Sequence, residues 1–440
     1  MVELPKIPKD KEFEEYVSAF FQCSGYYIER NIIERQIEEV LELDIIITNY
    51  NINPPEIRLL EVKSGNWGFP DIFKIKGWMV YLNISKGILI TSKEKDNIEF
   101  IKKKTNSLSI DLAIIPNLNE SKDKLSNIIN SSNINDVDIE CWRFSYWVER
   151  NLLERLNHKK KCQPDKKYLR VLEDCYFKVN SRIFFTEYII SKVNQLYTLF
   201  QDYPLLSARS GNELMGGCFD DEIDVLPKEL YEETYYSCMY NDIQISTFIE
   251  HRTRLAILKN AIDYKLYKMV GDKNRTQDFY IKFLGVKLPS SGFLPNSFMS
   301  GLEKISKDKF FHKYSIFWQW FMWMFGGFIL EDYKNKDFEI LSEKTGIPID
   351  EIPNALDSYQ KLFPQDDGWF IDLFPNSNIK IMKMFPVPFM GIGANYRREL
   401  YTESKQYKDL KLRGDHTLSD LIKWNNLTIE VLNQQKEKGK

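Results

Sequence analysis

Apolar positions open the chain at helical spacing. Phe13, Tyr16, Val17, Phe20 and Phe21 form a stripe within residues 11–23, and Gly25 follows as a stop. Residues 26–30 and 40–48 then read as strands. A turn-rich stretch at 49–55 separates them from a third strand-like run at 57–63. After the breaker Ser64-Gly65-Asn66-Trp67-Gly68 the spacing is helical again near 71–82. An apolar strand at 87–92, a basic helix near 97–104 and a last strand at 111–115 complete the unit. Helix, three strands able to form a meander, then helix, strand, helix, strand predicts an α/β domain. Its sheet is mixed and flanked by helices.

From 117 to 138 the residues are mostly Asn, Ser, Lys and Asp, and 119–140 reads as a linker or long surface excursion. Beyond it the pattern is predominantly α-helical. Residues 142–156 and 179–200 are candidates, as is a long stretch at 243–269. The last carries Ile245, Phe248, Leu255, Ile262 and Leu266 on one stripe, with Gly271 as its stop. Strand signals return at 379–382 and 387–389, and no internal repeat is visible. The layout expected is a domain over 1–118 and a larger helical region over 141–440 with room for two subdomains. A chain of 440 residues exceeds one ordinary core.

A net charge of −3 excludes a bulk nucleic-acid coat, so any DNA or RNA contact has to come from local basic patches. Cys23, Cys141, Cys162, Cys175, Cys218 and Cys238 are scattered without a C-x-x-C pair, which reads as reduced structural thiols in a cytoplasmic protein. The first residues have no apolar signal region, so secretion is not expected. Residues 316–330, IFWQWFMWMFGGFIL, are nearly all apolar. They fall short of the roughly 20 residues of a bilayer span and contain Gln319 and Gly326-Gly327. A buried core helix is expected there, with a membrane-surface or partner-binding helix as the alternative.

Three residues stand out chemically. Glu61 and Lys63 are two apart in one strand and so project from the same face, and Asp44 can join them if its strand pairs with theirs. All three interrupt or end strongly apolar runs, where a carboxylate is costly unless paired or metal-bound. Two carboxylates and an intervening backbone carbonyl, that of Val62, are hard oxygen ligands suited to Mg²⁺. Such an ion lowers the pKa of a bound water and stabilises charge on a phosphodiester, and a nearby lysine can orient that water.

Asp44 followed by Glu61-Val62-Lys63 on consecutive strands resembles the PD-(D/E)xK, or restriction-endonuclease-like, nucleases. The order of elements is similar to the Mrr-type branch, whose opening helix carries a Phe-Glu pair, here Phe13-Glu14. Its apolar strand ending in threonine is matched by 87–92. Leu43 stands where the motif's name has proline. The resemblance covers about the first 118 residues. It implies Asp44 and Glu61 as Mg²⁺ or Mn²⁺ ligands and Lys63 as the helper of the attacking water. It also implies Glu14 as a fourth member, reaching the site through a water or a second metal.

Weaker signals lie elsewhere. Lys102-Lys103-Lys104 and Lys159-Lys160-Lys161 could grip a phosphate backbone, or be solvated helix ends. His158 with Cys162 lacks the ligands for zinc. Residues 340–356 have helix-turn-helix spacing. The would-be recognition helix carries Asp350, Glu351 and Pro353, which favours a packing turn over DNA contact. Gly391-Ile392-Gly393 before Arg397-Arg398 reads as a loop, and His251, His312 and His416 as structural or surface residues.

By resemblance, the expectation is a metal-dependent endonuclease acting on DNA more readily than RNA. The helical region would regulate or target it in prokaryotic restriction or anti-phage and anti-plasmid defence. Oligomerisation or a protein partner is expected, because double-strand cutters with one site per chain commonly need two chains. The alternatives are an RNA-cutting or dual nuclease effector partnered with another protein, such as a short Argonaute, and a nuclease-derived scaffold that no longer cuts. A further rival is a helical interaction protein held on membranes through residues 316–330.

Overall fold

The computed structural model describes residues 9–35, 38–129, 134–162, 242–270, 296–365, 368–372, 378–383, 385–401, 411–413 and 416–419, with scattered positions between 164 and 176. Described residues up to Trp147 form one compact unit and those from Val148 a second.

The first unit is a five-stranded mixed sheet flanked by helices. Helix α1 is Lys11–Cys23, followed by β1 Tyr27–Arg35, β2 Glu39–Asn49 and β3 Glu56–Lys63. Helix α2 Phe69–Tyr81, β4 Lys86–Thr91, α3 Ile98–Ser107 and β5 Ile110–Ile114 follow. Strand order in the sheet is the order in the chain, with β1, β2 and β3 antiparallel and β3, β4 and β5 parallel. Covered on both faces, the inner strands read as continuous apolar runs: Ile45–Ile46–Ile47, Leu59–Leu60 and Ile88–Leu89–Ile90 are all buried. Ile46, Leu59 and Leu89 share a core with Ile72, Ile75 and Met79 of α2 and Ile101 of α3. The residues between them point to the other face, where α1 packs on β1 to β3.

The expected linker is structured instead. A single 3₁₀ turn, Leu118–Glu120, leads into α4 Ser121–Ile129, and α5 begins at Asp136 and runs to Cys162. Leu125 is buried, the Tyr16 and Ser121 hydroxyls hydrogen-bond, and the Arg30 guanidinium stacks over the Tyr146 ring at 4.2 Å. The polar composition hid these few anchoring contacts, and the unit reaches Trp147 rather than ending near 118.

The second unit is mainly helical. It contains α6 Asp242–Val270, α7 Asn296–Ile305, α8 Tyr314–Gln319, α9 Lys334–Thr345, α10 Ile352–Leu362 and α11 Val387–Leu400. Short strands β6 Phe328–Leu330, β7 Phe370–Asp372 and β8 Ile379–Met382 form an antiparallel sheet in the order β6-β8-β7, and β9 Lys411–Arg413 pairs with β10 His416–Thr417. Residues 316–330 are buried as expected, but not as one helix. After α8 comes a π turn over Trp320–Met324, and Gly326 and Gly327 at φ 67° and 64° end it. Among the described residues no helix is long and apolar enough to cross a membrane.

Two expectations at the C-terminal end are corrected. Residues 387–389 are the start of α11, not a strand, since Pro388 sits in the first helical turn, where its missing N–H costs nothing. Gly391 and Gly393 lie inside that helix rather than in a loop. A Cβ on Gly393 would stand 2.4 Å from the Phe325 carbonyl oxygen, so glycine is needed for close approach. Helices α9 and α10 bury Phe338, Leu341, Ile352, Ala355 and Tyr359 across a turn at Gly346, φ 67°, as a packing pair. Residues 179–200 and Gly271, together with Cys175, Cys218 and Cys238, lie outside the described residues.

Candidate active site

The candidate site forms where β2 and β3 part. Their ladder runs from Asn49↔Glu56 to Ile45↔Leu60, and beyond it the Asp44 side chain takes over. Asp44 Oδ2 accepts the Val62 backbone N–H at 2.8 Å. The N–H and C=O of one strand residue point to the same side, so the Val62 carbonyl also faces the gap that Asp44 fills.

Glu61 is fully buried, its side chain 0% exposed, and Lys63 Nζ lies 2.6 Å from its Oε1. A second lysine, Lys74 of α2, stands 3.0 Å from the same oxygen. Glu61 Oε2 is buried and has no hydrogen-bond partner among the described residues.

The surroundings are built to hold this arrangement. Helix α2 lies close on β4 because Gly87 leaves room: a Cβ there would meet Met79 Sδ at 2.8 Å and Ile75 Cγ2 at 3.0 Å. Its N-terminus is fixed by Asp71 Oδ2, which accepts the Gly68 N–H at 2.8 Å. The end of β3 is tied to the start of α1 through Ser64, whose hydroxyl accepts the Asp10 N–H and donates to Asp10 Oδ1, both at 2.9 Å. Ser92 bridges from β4, its N–H to the Lys63 carbonyl at 3.0 Å and its hydroxyl to the Ser64 carbonyl at 2.8 Å.

Burial and the nearby charges of Glu61 and Glu14 push the Asp44 carboxyl up to about 8, against the opposing pull of the Val62 N–H and Lys63. Glu14 is also raised, chiefly by burial, with Arg30 opposing. Burial favours the neutral form of Lys63, but the hydrogen bond and charge of Glu61, with Asp44 behind, outweigh it and raise its pKa. The burial of Asp44 beside the charges of Glu61 and Glu14 is what a divalent cation would relieve. Among the described residues no three His, Cys, Asp or Glu side chains form a ready-made metal cage. Mg²⁺ does not require one, since it keeps several waters and takes one or two carboxylates. The orphaned Glu61 Oε2 and the strained Asp44 charge fit that demand.

Of the residues singled out from the sequence, Asp44, Glu61 and Lys63 come together, and Glu14 lies within electrostatic reach of Asp44. Lys102, Lys103 and Lys104 are on α3, which packs on β5, with Lys102 paired to Glu99 at 3.1 Å. Lys160 is paired with Glu173, Lys161 is exposed, and the side chain of Lys159 is outside the described residues. His158 Nε2 sits 3.5 Å from Cys162 Sγ, and His251 is buried against Phe385, its pKa driven down to about 3 by burial. Lys74 was not anticipated. Its only sequence signal is its place four residues before Trp78 in the helix after E-x-K, on the flank away from Ile72, Ile75 and Met79. Comparison of the chain with protein families, curated proteins and solved structures finds no match.

Proposed function

We propose that the N-terminal unit is a Mg²⁺- or Mn²⁺-dependent endonuclease of the PD-(D/E)xK type, cutting phosphodiesters in DNA more readily than in RNA. The observation that carries this reading is the convergence of Asp44 and Glu61 with Lys63 where the β2–β3 ladder ends. Asp44, Glu61 and the Val62 carbonyl would hold the ion, with Glu14 contributing through a water. A divalent ion bound there supplies an activated water and neutralises charge on the phosphate. In the metal-free site the Glu61 and Asp44 carboxylates raise the Lys63 pKa, so there it is a cation that donates hydrogen bonds. Its ammonium can orient a water or offset charge on a phosphate oxygen. The buried Glu61 fixes that ammonium, and Ser92 fixes the backbone on its far side.

The larger helical region would target or restrain the cutting unit, as sensor, partner-binding or oligomerisation region, in keeping with a role in defence against phage or plasmids. The test is cleavage of supercoiled plasmid, linear duplex DNA and RNA by the full chain in Mg²⁺ or Mn²⁺. Nicking or cutting that Asp44→Asn abolishes supports the reading. Absence of any cleavage across these substrates, or cleavage indifferent to Asp44→Asn, overturns it.

A further inference from the structure

Resting on the metal-dependent reading above, we infer that Lys74 is a place-holding cation: its ammonium neutralises Glu61 while no metal is bound and leaves when a divalent ion enters. Two lysines share Glu61 Oε1, Lys63 at 2.6 Å and Lys74 at 3.0 Å, while Oε2 has no partner among the described residues. A carboxylate with no solvent exposure needs compensating charge, and the two ammonium groups supply it from the same side. A divalent ion at this carboxylate adds two positive charges within a few ångströms of both ammonium groups, and one of them must give way.

Lys74 is the one free to go. Its side chain is 42% exposed against 28% for Lys63, and its contact with Oε1 is the longer. It also has somewhere to stay, because its ammonium already lies 4.1 Å from the centroid of the Trp78 ring one turn along α2. Helix α2 itself is held by the close fit of Met79 and Ile75 over Gly87, so the exchange needs a side-chain rotation only. Lys63 is carried by the strand and is tied in by the fields of Asp44 and Asp71. Released from Glu61, Lys74 becomes a cation at the site's mouth, free to meet a phosphate of the substrate.

The experiment is Mn²⁺ binding to the full-length chain without nucleic acid, followed by calorimetry and by the EPR signal of free Mn²⁺. Wild type should bind, and Asp44→Asn should not. Lys74→Met should bind Mn²⁺ more tightly, by roughly two- to fivefold, the effect of one partly exposed ion pair. Lys74→Arg should return the affinity to that of wild type. In parallel, Mg²⁺ should change the Trp78 emission, taken as wild type minus Trp78→Phe, and should not change it in the Lys74→Met background. A merely structural lysine would leave affinity unchanged or weaken it. Equal or weaker Mn²⁺ binding by Lys74→Met, with wild type binding normally, overturns the place-holder and spares the nuclease reading. No Mn²⁺ binding by wild type overturns both. Lys74→Gln provides the same comparison should the methionine variant fail to fold.

Discussion

Asp44 Oδ2 and the Val62 backbone N–H are joined at 2.8 Å, which locks the carboxylate of one strand to the middle residue of the E-x-K on the next. That bond takes over where the β2–β3 ladder ends, so the candidate ligand doubles as the last rung of the sheet. Substitutions here therefore have to separate chemistry from fold. Asp44→Asn keeps an oxygen able to accept the Val62 N–H while removing the charge. Cleavage should fall by about 100-fold or more with Asp44→Asn or Lys63→Met, with the circular dichroism spectrum unchanged. A plasmid-nicking time course in Mn²⁺ measures it.

The raised pKa of Asp44 makes a stability prediction. Its folded value, about 8, lies above the ordinary carboxylate value, so between roughly pH 4 and pH 8 the folded state holds a proton that the unfolded state has lost. This group therefore makes the metal-free protein less stable as pH rises through that window, and its cost is absent below it. Asp44→Asn should raise the melting temperature at pH 8 in EDTA, by an amount worth more than about 1 kcal/mol, and should have no effect near pH 4. Thermal melts at the two pH values decide it.

Glu14 acts on the site from α1, through charge, and has no direct hydrogen bond to Asp44 in the structure. Glu14→Gln should lower Mn²⁺ affinity and cleavage by roughly 10-fold, in the range of an outer partner of a metal site and short of the loss at Asp44. Activity against Mn²⁺ concentration distinguishes the two: excess metal should restore Glu14→Gln and not Asp44→Asn.

In the second unit Arg397 is fully buried. It makes a bidentate pair with Asp337 at 2.8 and 3.0 Å and donates to the Phe325 carbonyl at 2.9 Å and the Phe328 carbonyl at 2.6 Å. The Tyr401 hydroxyl also donates to Asp337. Arg397→Met leaves the Asp337 charge buried without its cation and the Phe325 and Phe328 carbonyls without this donor, so it should destabilise that unit by about 3–5 kcal/mol. Denaturant unfolding of the full chain should show the loss, and the far-UV signal that remains below the transition gives an internal control for the fold of the first unit.

The meander and the two crossovers were legible because each inner strand carries an uninterrupted apolar run and each helix a 3.6-residue stripe. Asp44, Glu61 and Lys63 were legible for a related reason, as charges at positions of those runs where charge is expensive. Helix α4 was not, because it buries only Ser121 and Leu125 among polar residues, and the Tyr16 hydroxyl that Ser121 meets is distant in sequence. The break in residues 316–330 is not legible either. Apolar content alone cannot distinguish one helix from a short helix, a π turn and a strand, and the positive φ angles of Gly326 and Gly327 decide it.

In the first unit the sequence by itself determined which strands form and which carboxylates and lysine they carry, since side-chain direction in a strand follows from counting by two. Only the tertiary structure decided that Asp44 bonds to Val62, that Glu61 is wholly buried with one oxygen orphaned, and that Lys74 shares its other oxygen. The Lys74 contact depends on where α2 settles over β4, a close approach that the missing Cβ at Gly87 allows to Met79 and Ile75. Local patterns fix the direction of a side chain. The distance between two elements is fixed by packing, which no local pattern contains.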